Sequence, residues 1–89
     1  MQWLANMMQP YRSLASANAG ETLAIRRFRS RQVAELCEQL GMREGEFVQC
    51  RVNTRACLIL RTSAGRVISL DPDWARHVQI EEAAAPLPA

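Results

Sequence analysis

The sequence predicts a mainly β fold: a small, partly open five-stranded β-barrel capped by one α-helix. Three observations predict it. Residues 33–45 carry a helical repeat closed by a glycine stop, and the segments on either side alternate as strands. The remaining turns are short, with glycine, asparagine or proline where tight turns need them. A chain of 89 residues is also too short for two layered sheets, and a sheet that curls on itself reduces its exposed edges.

The elements follow in order. Residues 1–13 stand apart as an N-terminal extension, in which Trp3, Leu4, Met7 and Met8 would form an amphipathic turn or two ended by Pro10. It reads as a frayed extension; the alternatives are an apolar anchor for a partner, or a translation start at Met7 or Met8. Leu14 to Gly20 is a small-residue lead-in ending in a turn, and 21–28 alternates as a first strand with Leu23 and Ile25 inward. The helix places Val33, Leu36, Cys37 and Leu40 on one face, with Ser30 as N-cap and Gly41 as left-handed C-cap. Met42 is placed to drop back onto the helix end, and Gly45 offers a second positive φ before a strand over 46–52.

In that second strand, alternation puts Val48, Cys50 and Val52 on one face and Phe47, Gln49 and Arg51 on the other. Asn53-Thr54-Arg55 is the connection to a third strand, 56–62, whose run Cys57-Leu58-Ile59-Leu60 predicts burial on both faces near its centre. Ser63-Ala64-Gly65 turns the chain into a fourth strand with Ile68 and Leu70 inward. A single helical turn follows, with Asp71 as N-cap, Pro72 at the first helical position and Asp73 complementing the dipole. Val78 and Ile80 make a fifth strand beside the first, and the domain spans 14–82. The Ala/Pro-rich 83–89 is expected to be a disordered tail.

Composition excludes several classes. With 48% hydrophobic and 22% charged residues the chain is ordinary for a folded domain, and a net charge of +2 does not point to nucleic acid by itself. All eleven cations are arginine, which reads as the codon bias of a GC-rich genome before it reads as function. Three cysteines without a CxxC pair, beside the lone His77, match no zinc motif and fit reduced cytoplasmic thiols. No apolar run approaches a membrane span, and the start is a poor signal peptide.

Two clusters carry candidate chemistry. Arg26, Arg27, Arg29 and Arg31 surround Phe28 between strand and helix. They read as a solvated loop partly paired with Glu35 and Glu38. The alternatives are a nucleic-acid patch in which Phe28 stacks a base, and attraction to an acidic partner or anionic membrane. Cys50 and Cys57 would face each other across a hairpin near Cys37, a soft-metal set; as lone thiols all three read as small core hydrophobes. His77 with Glu81 and Glu82 lacks a ligand geometry, so no metal site and no cofactor are expected. No nucleophile has a local base and no glycine-rich phosphate loop occurs, so no enzyme and no small-molecule substrate are expected.

This order of signals resembles the FeoA family, small SH3-like domains associated with ferrous-iron uptake and also found fused to metal-dependent repressors. Residues 36–45, Leu-Cys-Glu-Gln-Leu-Gly-Met-Arg-Glu-Gly, match its Leu-x-x-Leu-Gly-apolar-x-x-Gly signature. Leu14, Gly20, Ile25, Val48, Val52, residues 67–70, Ala75 and residues 78–80 follow in the family's order. The plain 52–56 hairpin departs from the proline-rich acidic one of many members, and the arginine stretch is not general. The resemblance implies a non-enzymatic cytoplasmic accessory domain that binds and modulates a GTP-binding ferrous-iron permease, touching the membrane only indirectly. The contact surface it points to is the helix–turn, with Glu38, Met42 and Arg43, and the exposed hairpin with Arg55. The alternatives are a nucleic-acid-binding barrel using the arginine cluster, and a metal-sensing regulatory domain.

Overall fold

The computed structural model describes residues 12–83. Six strands form one antiparallel sheet: β1 (Arg12–Ser13), β2 (Thr22–Phe28), β3 (Phe47–Asn53), β4 (Leu58–Thr62), β5 (Val67–Leu70) and β6 (Val78–Glu82). Their order across the sheet is β1-β6-β2-β3-β4-β5, so among the described residues the sheet is open, with β1 and β5 as its edges. A 3-10 turn (Leu14–Ser16) follows β1, the helix α1 (Arg31–Gln39) joins β2 to β3, and the short α2 (Pro72–Ala75) joins β5 to β6. The apolar turn expected at Trp3 to Met8 lies outside the described residues, as does the expected tail apart from Ala83, whose N–H donates to the Thr22 carbonyl at 3.1 Å.

The five expected strands are present, and a sixth is added. Arg12 and Ser13, read in the sequence as the end of the extension, pair with Ile80 and Gln79. A two-residue strand has no periodicity to read, so nothing local announces it. The last strand also runs on through Glu81 and Glu82, which pair with Ala24 and Leu23. β2 and β6 are neighbours as expected, with Ile25 opposite Ile80 at the centre of the pairing.

Two bulges set the curvature and correct the expected faces. In β2 the register slips between Ile25 and Arg27, leaving Arg26 as the extra residue. Both arginines then point to solvent, and Phe28 turns back to pack against the core. In β3 the slip falls between Cys50 and Val52, with Arg51 the extra residue. Strict alternation would bury Val52 beside Cys50; the bulge turns it out, to 39% exposure. β4 is also narrower than its sequence suggests. Leu58, Leu60 and Thr62 are buried while Ile59 and Arg61 are half-buried, so the strand alternates and is not covered on both faces.

The core lies between the curled sheet and α1, and includes Leu14, Leu23, Ile25, Leu58, Leu60 and Val78, each at most 1% exposed. Local chemistry fixes both helices. The Ser30 hydroxyl accepts from the Val33 N–H at 3.4 Å, and Asp71 caps α2 by accepting from the Asp73 N–H at 2.8 Å. Beyond α1, Gly41 adopts φ +85°. The Gly41 N–H reaches the Glu38 carbonyl at 3.1 Å and the Met42 N–H reaches that of Cys37 at 2.8 Å, a Schellman cap.

Candidate functional site: the helix–turn surface

The cap decides what the helix–turn presents. In a Schellman cap the second residue past the helix end folds back over the last turn, and an apolar side chain there joins the core. Met42 occupies that position and is 0% exposed, as is Cys37 on the last turn of α1. Met42 therefore does not present a surface methionine to a partner. That expectation is corrected by the same glycine stop that suggested it.

What remains on the surface is polar and paired by position. Glu38 and Arg43 are exposed, and together they line two adjoining depressions. One, of about 270 Å³, is completed by Phe28, Ala34 and Glu44; the other, of about 430 Å³, by Glu35 and Gln39. Glu38 and Arg43 make no ion pair among the described residues, which leaves both charges available to a partner. Phe28 is the member that periodicity missed. Counted without the bulge, it has no reason to sit beside the helix.

Arg55 belongs elsewhere. It lies in the β3–β4 hairpin beyond Asn53, whereas Arg43 precedes Phe47 at the other end of the seven-residue β3. At about 3.3 Å per residue the strand alone separates them by roughly 20 Å. One contact surface does not include both by adjacency.

The arginine cluster is likewise divided. Arg26 pairs with Glu81 at 3.2 Å, not with Glu35 or Glu38 as expected. Its partner comes from β6 because the bulge directs it across that strand. The Arg29 N–H donates to the His77 carbonyl at 2.8 Å, tying the β2–α1 junction to the start of β6. Phe28 is half-buried against the core and reaches the surface only at the wall of the depression beside Glu38 and Arg43.

The cysteines do not converge. Cys50 opposes Leu60, and Cys57 lies in the hairpin, where its N–H donates to the Thr54 hydroxyl at 3.0 Å. Cys37 and Cys50 are buried as small hydrophobes. Burial pushes the Cys37 thiol up to about 11, and burial with the nearby Glu21 carboxylate raises that of Cys50. His77 and Glu81–Glu82 sit at opposite ends of β6. Among the described residues no three histidine, cysteine or acidic side chains gather as metal ligands. Thiol labelling of the native domain at pH 8 is expected to modify Cys57 quickly, and Cys37 and Cys50 only at the rate of unfolding; intact-mass spectrometry over time reads the order.

A second feature escaped the sequence reading. Arg12 on β1 makes a two-point contact with the Glu21 carboxylate, one bond measuring 2.9 Å, and also reaches Ser16. Glu21 further accepts from the Asn18 N–H at 2.7 Å. The Arg12 bonds, with that N–H, hold the Glu21 carboxyl down at about 2. It is a clasp that fixes the lead-in to the sheet, across nine residues of sequence.

Comparison with solved structures places this geometry. An iron uptake regulatory protein, FeoA, superposes with a TM-score of 0.72 at 12% identity, over 80% of this chain and 95% of its own. A FeoA-like protein from Clostridium acetobutylicum gives 0.74 at 15% identity, over 89% and 94%. The chain has the FeoA-like, SH3-like fold. A manganese-dependent transcriptional repressor shares the FeoA-like fold over 85% of this chain, with a TM-score of 0.75 at 14% identity. This chain spans only 38% of that repressor's length. No family model and no curated protein sequence matches the chain. Among the described residues no helix is long and apolar enough to cross a membrane.

Proposed function

We propose that this chain is a non-enzymatic accessory domain of ferrous-iron uptake, which binds and modulates the cytosolic part of a GTP-binding ferrous-iron permease. The observation that carries the reading is mutual coverage. The likeness extends over 94–95% of two of the FeoA-type structures and 71% of a third, from Chlorobium tepidum, so most or all of the FeoA-like unit is matched. The helix–turn surface supports it with a means of recognition. The charges of Glu38 and Arg43, unpaired among the described residues, flank two shallow depressions, one with half-buried Phe28 on its wall, a polar rim around a small apolar contact. Such a surface orients a partner and has no reacting group in it.

The test is recovery of the permease from detergent-solubilised membranes of the native organism on the tagged domain. The wild type is expected to recover it, and a Glu38→Arg/Arg43→Glu variant to recover about tenfold less, because opposed charges at an interface become repulsive. A variant with Arg26, Arg27, Arg29 and Arg31 all changed to alanine is expected to recover it normally. Failure of the wild type to bind would sink the reading.

The likeness to the manganese-dependent repressor favours a second reading, a metal-sensing regulatory domain. It requires the fold to respond to an ion. Unchanged thermal unfolding with iron(II), manganese(II) or zinc(II) would count against it, since a ligand that binds only the native state raises the midpoint.

A further inference from the structure

The sheet has a feature that the helix–turn reading leaves unused. From 47 to 70, the whole of β3, β4 and β5, the chain contains Arg51, Arg55, Arg61 and Arg66 and no acidic residue. Arg66 leans toward Gly41 at the end of α1, 3.9 Å from where a β-carbon there would lie. The others remain on the sheet and its hairpin. Arg61 sits in an outer-face row between Gln49 of β3 and Val67 of β5, and Arg51 is the exposed bulge residue one position beyond Cys50.

This basic face ends at β5, after which Asp71 and Asp73 begin the turn into α2. Among the described residues β5 has β4 on one side and no strand on the other. The Thr62 N–H bonds the Arg66 carbonyl at 2.7 Å, so that pair is a hydrogen-bonded one. By the alternation of an antiparallel ladder, the N–H and C=O groups of Val67 and Ser69 then point away from β4. Val67 is 64% exposed, the most open of the large apolar side chains among the described residues. No proline, bulge or inward charge blunts the four residues of β5.

We propose that the β5 edge takes up an extended acidic segment of a partner protein as an added strand. Period two would set its acidic side chains on the outer face, beside Val67 and toward Arg61 on the next strand in, and its apolar ones beside Ile68 and Leu70. A second copy of this chain is disfavoured because edge-to-edge pairing would bring two basic faces together. An anionic lipid surface would answer the arginines but leave the outward N–H and C=O groups of Val67 and Ser69 without strand partners. The proposal rests on the sheet alone, so it and the permease reading fail separately.

The experiment uses fluorescence anisotropy with a labelled octapeptide of alternating aspartate and valine. Saturable binding to the wild type is expected, weaker by a few-fold to about tenfold for an Arg61→Glu variant and steeply weakened by salt. The same peptide N-methylated at alternate residues, which removes its hydrogen-bond donors on one edge, is expected to lose about tenfold on the unaltered domain. That arm does not depend on whether the variant folds. No binding of the aspartate–valine peptide overturns the proposal, as does equal binding of the N-methylated peptide or of a lysine–valine peptide. Sedimentation with phosphatidylserine vesicles in the absence of peptide binding would overturn it in favour of a membrane surface.

Discussion

Met42→Ala is expected to lower the free energy of unfolding by about 2–4 kcal/mol, read from urea titrations followed by tryptophan fluorescence. Met42 is fully buried, and it is the residue that the Schellman cap turns back over the end of α1. Truncation removes its buried methylenes and leaves a void between helix and sheet, where the backbone is already held by two cap bonds and has little room to collapse. A domain of this size has about 5–10 kcal/mol in total, so the variant would be marginal at ordinary temperature. A methionine that merely touched a partner would give a change within about 0.5 kcal/mol. The control is Glu38→Ala, exposed on the same helix, which is expected to leave unfolding unchanged within that margin. The two variants separate fold from recognition at neighbouring positions.

The case of Met42 also shows what the sequence could and could not convey. Everything governed by local stereochemistry was legible. Ser30 and Asp71 cap the helices they precede, Pro72 opens α2, and Gly41 and Gly65 take positive φ where the chain must reverse. The pairing of β2 with β6 was also within reach, because a short antiparallel barrel leaves few other places for the last strand. What the sequence hid was register. One extra residue at Arg26 and another at Arg51 change which side chains face the core, and neither position carries a glycine or proline to mark it. So Phe28, outward by strict alternation, is half-buried against the core, and Val52, placed on the face of Val48 and Cys50, is exposed. Of the expected contact residues, Glu38 and Arg43 line the same two depressions. Arg55 is carried to the far end of β3, and Met42 is withdrawn into the core.

Stability is expected to fall below about pH 4.5 as the clasp between Arg12 and Glu21, the interaction least visible in the sequence, loses its charge. The two side chains lie nine residues apart, on an edge strand with no periodicity and in a loop before β2. The folded Glu21 carboxyl is held at about 2, against 4.5 for the free group, first by the Arg12 hydrogen bonds and then by the Asn18 N–H. Between those values the unfolded chain binds a proton that the folded chain does not, so stability rises with pH. The contribution is complete above about pH 4.5 and is lost as the pH falls toward 2. A shift of this size bounds the effect at about 3 kcal/mol, but both side chains are partly open to water, and screening brings it nearer to about 1–2 kcal/mol. Arg12 stays charged throughout, so the titrating partner is the carboxylate alone. Glu21→Gln should therefore lower stability at pH 7 by a similar amount while flattening the acid limb, and the curves of variant and wild type should converge near pH 2. Equilibrium urea unfolding at intervals from pH 2 to 7 reads both features. A parallel offset at every pH would mean that the carboxylate acts through shape and packing, and that its charge contributes nothing to holding the lead-in against the sheet.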